Sequence, residues 1–269
     1  MVVTIGTFFF ITPTHCYLDI PPEAKMTAVE IILYHGYPVQ VFHAQTTDGY
    51  ILELHRIPFG KNNSSTKRKY NRPVFLQHGL LGSSADWVEN LPNESFDAMF
   101  NVVLNETKQS SLYYVGFSQG TLIMFAKLSQ DPDFSSKSRL VVYIAGEGGT
   151  SVMNIIHWIQ MVNSGKMQAY NYDSLEENQI HYGQDSPPIY NISSIDVPIY
   201  LYWSKNDWLA DAADIENSLL SVLPNSSIKG RNQLKDFNHL DFIWGLRVPA
   251  EIYHPVISII NKENDRRIA

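Results

Sequence analysis

The sequence predicts an α/β fold, with a mostly parallel central sheet flanked on both faces by helices. Three observations carry that expectation. Short apolar runs recur at Val74–Gln77, Leu112–Val115, Leu140–Ala145 and Val197–Trp203, and they read as strands buried in a parallel sheet. Segments of helical spacing alternate with them, among them Gln119–Leu128 and Ser151–Val162. The 269 residues are 44% apolar and only 17% charged, a globular composition with enough aromatic side chains for a sizeable core. At about 150 residues per domain, this length suits one large domain or two small ones. No internal repeat or linker interrupts residues 19–269, so they read as one domain.

The elements follow in chain order. Val2–Ile11 is too short to span a bilayer but suits the apolar core of a signal peptide over residues 1–18, with Pro13 as breaker and removal near Thr14–Leu18. An N-terminal strand is the competing reading. Met26, Val29, Ile32 and Leu33 recur at helical spacing, and Gly36 and Pro38 stop that helix. Val39–Gln45 and Tyr50–Ile57 read as strands of a hairpin turning at Thr47-Asp48-Gly49, which adds antiparallel edge strands to the sheet. A helix broken by Pro92 is expected over Ala85–Met99. In Ser151–Val162, one face carries Val152, Ile155, Ile156, Ile159 and Val162, with Gly165 capping the end. Ala212–Leu223 and Leu240–Ile260 read as helical, the latter interrupted by Pro249 and Pro255.

Charge and cysteine content exclude several function classes. The balance of 27 acidic against 20 basic side chains, net −7, with no basic block, argues against a nucleic-acid partner. The cluster Lys67-Arg68-Lys69 sits in the polar stretch Lys61–Asn71 and reads as a solvated loop. One cysteine, Cys16, excludes a disulfide framework and any cysteine-based zinc site. Asn62, Asn63, Asn93, Asn105, Asn191 and Asn225 each begin an N-glycosylation triplet, which together with the leader favours the secretory route.

The chemistry concentrates at Gly116-Phe117-Ser118-Gln119-Gly120, a G-x-S-x-G between an apolar strand and a helix. Glycines at both flanks allow a sharp turn that lifts the serine hydroxyl above the sheet end. The bland alternative is a tight turn with a helix-capping serine. A serine nucleophile needs a base, and the base an orienting acid, in the order Ser, acid, His along such a fold. Asp207 follows the strand Val197–Trp203 and fits the acid, with Asp211 its nearest rival. His239, in a polar turn before an apolar helix, fits the base, whereas His254 sits within the terminal helix. The tetrahedral oxyanion needs donors. The N–H of Gln119 and that of Leu80, in His78-Gly79-Leu80-Leu81, are the candidates, with His78 expected to orient the turn. A plain glycine loop is the alternative there.

The chain resembles the acid lipase family of animals, the gastric and lysosomal acid lipases and their invertebrate relatives. The resemblance runs through Gly36-Tyr37-Pro38, Thr47-Asp48-Gly49-Tyr50-Ile51-Leu52, Arg56-Ile57-Pro58-Phe59-Gly60, Phe75-Leu76-Gln77-His78-Gly79-Leu80-Leu81, Trp87 and Asn90-Leu91-Pro92. It continues through Tyr114–Thr121, Gly149-Thr150-Ser151, Ser164-Gly165-Lys166, Gln168-Ala169-Tyr170, Asp207-Trp208-Leu209-Ala210-Asp211 and Asn238-His239-Leu240-Asp241-Phe242-Ile243-Trp244. It implies an α/β-hydrolase fold, a triad of Ser118, Asp207 and His239, and an oxyanion hole at Leu80 and Gln119. It further implies hydrolysis of neutral lipid esters, triacylglycerols or sterol esters, met at a lipid–water interface by a secreted or lysosomal enzyme. No metal, organic cofactor or transmembrane segment is expected, and the oligomeric state is not indicated.

Departures from the family pattern accompany the match. Phe117 replaces the family's usual His. Only 40 residues separate His78 from Ser118, where the family carries a further strand and helix; a crossover unit takes about 30 residues. Ala145 runs almost directly into Gly146–Thr150, where the family inserts its cap. The fold is therefore expected to be truncated, with neighbouring strands closing up or buried backbone groups left unpaired, and in either case Leu80 shifted against Ser118. A catalytically impaired lipase-like protein that binds lipid or a partner is the alternative function, and hydrolysis of small soluble esters a third.

Overall fold

The structure, a computed structural model, describes residues 22–46, 49, 51–60, 72–80, 82–87, 107–131, 138–144 and 152–265. The expected leader, Cys16, the loop Lys61–Asn71, most of the helix expected over Ala85–Met99 and the Ala145–Gly146 junction lie outside the described residues.

Helix α1 (Ala28–Tyr34) opens on a capping box: the Thr27 hydroxyl accepts from the Glu30 N–H, and the Glu30 carboxylate accepts from the Thr27 N–H at 2.7 Å. Strands β1 (Gln40–Gln45) and β2 (Ile51–Arg56) then pair antiparallel. Contrary to expectation, this hairpin does not extend the main sheet but forms a two-stranded sheet of its own. Its Ala44 and Leu52 still join the core that contains Phe75 and Tyr114, so side-chain burial rather than strand pairing holds it in place.

The main sheet runs β3 (Val74–Gln77), β4 (Leu112–Phe117), β5 (Ser138–Ile144), β6 (Ile199–Ser204) and β7 (Ile228–Leu234), all parallel and in sequence order. The sequence reading missed β7, whose polar Lys-Gly-Arg-Asn-Gln interior resembles a loop. Alternate half-burial and Lys229 and Arg231 suit it to a sheet edge. Strand β3, expected to be buried, hides only Phe75 and Gln77 and leaves Val74 and Leu76 exposed.

β3 and β4 pair directly, from Val74 opposite Tyr113 to Gln77 opposite Gly116. Among the described residues β3 has no strand on its other edge, and the hairpin stands apart. The turn after β3 and the turn after β4 lie at neighbouring strand ends.

Side chains of β4 alternate between two cores. Leu112 and Tyr114 pack with Met124, Phe125 and Leu128 of helix α2 (Gln119–Gln130). Tyr113, Val115 and Phe117 pack on the opposite face with Phe237, Phe242, Val248, Ile252 and Val256 from the C-terminal helical segments. Helix cover on both faces is what a fully buried parallel strand requires.

Helix α3 (Val152–Ser164) forms where its periodicity predicts, but none of its residues is fully buried. Helix α4 (Leu175–Tyr182) was not anticipated. Its Ser174 cap, with Glu177 three residues on, and its left-handed Gly183 were readable boundary signals. Helix α5 (Ala212–Asp214) widens into a π-turn over Ile215–Leu219. Beyond α6 (Asp241–Trp244), Pro249 begins a second π-turn segment that leads into α7 (His254–Asp265). Pro255 was expected to break the helix. It lies instead in the first turn of α7, just after the π-turn widens the backbone there.

Candidate active site

The site begins with strain in the backbone. Ser118 joins β4 to α2 with φ 51° and ψ −120°, a conformation that few non-glycine residues adopt. Two glycines make the turn possible. A Cβ at Gly116 would meet the Tyr114 ring at 2.7 Å, and a Cβ at Gly120 would meet the His78 carbonyl oxygen at 2.5 Å and that of Gln77 at 2.8 Å. The second contact is the informative one: the turn after β3 lies against the first turn of α2, in a space that admits only glycine. The Tyr114 hydroxyl donates to the Gly120 carbonyl at 2.5 Å, and burial pushes that phenol well above its ordinary range, so it remains a donor.

The structure brings Ser118, His239 and Asp207 together although His239 lies 121 residues after the serine. The Ser118 hydroxyl lies 3.2 Å from His239 Nε2. On the other side of the ring, His239 Nδ1 lies 2.9 and 2.8 Å from the two carboxylate oxygens of Asp207. Nδ1 donates to Asp207, which leaves Nε2 free to accept from the serine. Asp207 is 3% exposed and His239 6%. The buried carboxylate also accepts the N–H groups of Leu209 and Ala210, each at 2.9 Å. A charge removed from water needs such donors, and three converge on it.

The rivals are placed elsewhere. The Asp211 carboxylate accepts from the Ala213 N–H at 2.7 Å and caps α5. His254 is the first residue of α7. His78 is buried, and its Nδ1 donates to the Gly79 carbonyl at 2.9 Å, the turn-orienting role expected of it. Leu80 lies in the turn after β3, closed by the Gly82 N–H donating to the Gly79 carbonyl at 3.0 Å. Gln119 opens α2 directly after the serine.

The sequence reading missed three contributors. Phe117, noted only as a departure, stacks on the His239 ring with centroids 6.3 Å apart and is itself contacted edge-on by Trp87. Tyr114 fastens the serine turn. Asn154 of α3 pairs with the Gln119 side chain through two hydrogen bonds. A polar residue at positions 154, 157 and 160 of an apolar helix was a legible hint that this face has specific partners. Among the described residues, no cluster of histidine, cysteine or acidic groups can hold a metal ion, and no helix is long and apolar enough to cross a membrane.

Such an arrangement can pass a proton from the serine hydroxyl to an imidazole whose opposite nitrogen is held by a carboxylate, which is the requirement for nucleophilic attack on an acyl carbon.

Comparison with known proteins places the chain in a family. Residues 28–91 match the family described as a partial alpha/beta-hydrolase lipase region. The chain is 32% identical over 380 aligned positions to the lipase lipl-1 of Caenorhabditis elegans, covering 91% of this chain and 94% of that protein. It is 30% identical over 373 positions to the gastric triacylglycerol lipase of Bos taurus, covering 90% and 93%. It is 29% identical over 374 positions to the lysosomal acid lipase/cholesteryl ester hydrolase of Homo sapiens, covering 90% and 92%. The 380 positions exceed the 269 residues of this chain, so at least 111 of them lie opposite gaps in it. Among solved structures, an esterase of Pyrococcus furiosus superposes with a TM-score of 0.51 at 14% identity, covering 88% of this chain and 93% of that one. That likeness shows the α/β-hydrolase fold.

Proposed function

Because the chain belongs to the animal acid lipase family, we propose that it is a serine ester hydrolase cleaving carboxylic esters of neutral lipids, triacylglycerols or sterol esters, through an acyl-enzyme. The observation that carries this reading is the line from the Ser118 hydroxyl through His239 to the buried Asp207 carboxylate, built on a positive-φ serine. Ser118 Oγ attacks the acyl carbon as its proton passes to His239 Nε2. The negative charge that develops on the carbonyl oxygen meets the N–H groups of Gln119 and Leu80. The C–O bond to the alcohol breaks, and the alcohol leaves with the proton from His239. Water then repeats the sequence on the acyl-enzyme, releasing the acid and restoring Ser118. Asp207 keeps His239 in the productive tautomer throughout. No cofactor is required by these steps.

The gaps against the relatives favour a second reading, a catalytically impaired protein that binds lipid or a partner. Selectivity for long chains depends on a lid and tunnel, whereas bond cleavage depends on the placement of the nucleophile and oxyanion donors. Slow turnover of a short-chain ester and little hydrolysis of long-chain triacylglycerol follow from a site that keeps its constellation and lacks its cap. The decisive assay compares the purified protein with Ser118→Ala on a short-chain aryl ester and on triolein emulsion. Short-ester turnover that vanishes in Ser118→Ala supports the enzyme. Equal rates in both proteins defeat it and favour the binding protein, and brisk triolein hydrolysis shows that the missing segments matter less than argued.

We place the protein on the secretory route, secreted or lysosomal, as residues 19–269 after loss of a leader. Asn191 and Asn225 are exposed and open to glycosylation. Expression in eukaryotic cells with residues 1–11 retained and no endoglycosidase-sensitive mass would contradict that placement.

A further inference from the structure

We propose that Asn154 is a positioning residue for acyl transfer, acting through the side chain of Gln119. The inference rests on the reading of Ser118 as nucleophile. Gln119 supplies a backbone N–H beside the reacting oxygen, but it also carries a primary amide long enough to fold back over the serine. An unheld Oε1 would bring the negative end of its dipole to the place where negative charge develops, and it would compete with the oxyanion for the same N–H donors.

Asn154 meets both ends of that amide. Gln119 Nε2 donates to Asn154 Oδ1 at 2.6 Å, and Asn154 Nδ2 donates to Gln119 Oε1 at 2.8 Å. A reciprocal pair fixes the torsions of the longer side chain and the sense of its amide, which a single hydrogen bond leaves free. The pair joins residues 35 apart in sequence and links the first turn of α2 to the first turn of α3.

Other bonds also hold α3. His157 Nε2 lies 2.7 Å from the Gln168 carbonyl. Gln160 donates to the Asn171 carbonyl at 2.7 Å and accepts from the Asn171 N–H at 2.9 Å. Asn154, His157 and Gln160 recur every third residue on the inward face, and the latter two fasten the helix to the segment that follows it. Removing the Asn154 amide releases Gln119 while these bonds remain, and Tm reports whether α3 stays docked.

The test measures kcat and KM on a short-chain aryl ester for the wild type, Asn154→Ala and the exchange Gln119→Asn with Asn154→Gln, which keeps the combined length of the pair. Every rate is divided by active sites counted with a fluorophosphonate, and Tm is recorded. Losing one oxyanion donor outright costs about 100- to 1000-fold. An indirect contribution at one remove is expected to lower kcat per site about 10-fold in Asn154→Ala, with KM within about twofold and Tm unchanged. The exchange recovers kcat to within about threefold of wild type. An unchanged kcat per site in Asn154→Ala overturns the proposal, as does an exchange that labels fully yet stays as slow as Asn154→Ala. If the wild type neither turns over nor labels at Ser118, the nucleophile reading fails first and takes this inference with it. That outcome is distinct from a working wild type indifferent to Asn154.

Discussion

Helices α2 and α3 meet at Gln119 and face opposite ways. α2 turns Met124, Phe125 and Leu128 into the core and sets Lys127 toward Asp131 at 2.9 Å on its outer side. α3 turns Asn154, His157 and Gln160 inward and leaves Val152 76%, Ile159 44% and Val162 62% exposed. Both sequences are amphipathic at helical period, so the periodicity identifies the stripe in each case. It does not say which stripe faces the protein, because that depends on what lies opposite. α2 lies on β4, whose Leu112 and Tyr114 present an apolar surface. The resemblance puts the family's cap insertion immediately before α3, and among the described residues nothing buries this stripe fully. An apolar stripe of this kind marks an interaction surface more often than a folding error.

The largest expected effect breaks the comparison on the α2 side. Phe125→Ala removes a fully buried ring and is expected to cost roughly 3–5 kcal/mol, whereas Ile159→Ala, on an open face, is expected to stay within about 0.5 kcal/mol. Urea unfolding of the two variants measures both. Comparable losses would mean that α3 is covered after all. Next in size is Gly120→Ala, whose Cβ would press on the His78 carbonyl at 2.5 Å. Overpacking of this sort costs about 1–3 kcal/mol. Because the displaced backbone belongs to the turn carrying Leu80, kcat is expected to fall by more than KM changes. Wild-type kcat in Gly120→Ala would detach that turn from the reaction. The smallest effect concerns α3 alone. Ile156→Ser with Ile159→Ser is expected to leave the unfolding midpoint in place within about 0.5 kcal/mol. A large drop in stability would show that the stripe is buried in solution.

The sequence was most legible where the signal is local. The strand–turn–helix around Ser118, the order Ser118, Asp207, His239, and the existence of α1, α2 and α3 all rest on short-range pattern, since glycine spacing and apolar periodicity are properties of neighbouring residues. Helix α4 was legible too, through Ser174, Glu177 and Gly183, but its polar residues offered no stripe to draw attention. Strand β7 was not, because an edge strand with alternate charged residues has the composition of a loop.

By itself the sequence determined four of the five strands of the parallel sheet and the turn that carries Ser118. Only the tertiary structure decided among near equals. Asp207 and Asp211 lie four residues apart and differ in no local feature; Asp207 faces His239 while Asp211 is occupied in capping α5. The same holds for the inward face of α3, the separate hairpin and the pairing of Asn154 with Gln119. Each of these depends on what a residue meets across tens of positions of chain, and a contact of that kind is fixed by which surfaces are present to be buried together, information that no local spacing holds.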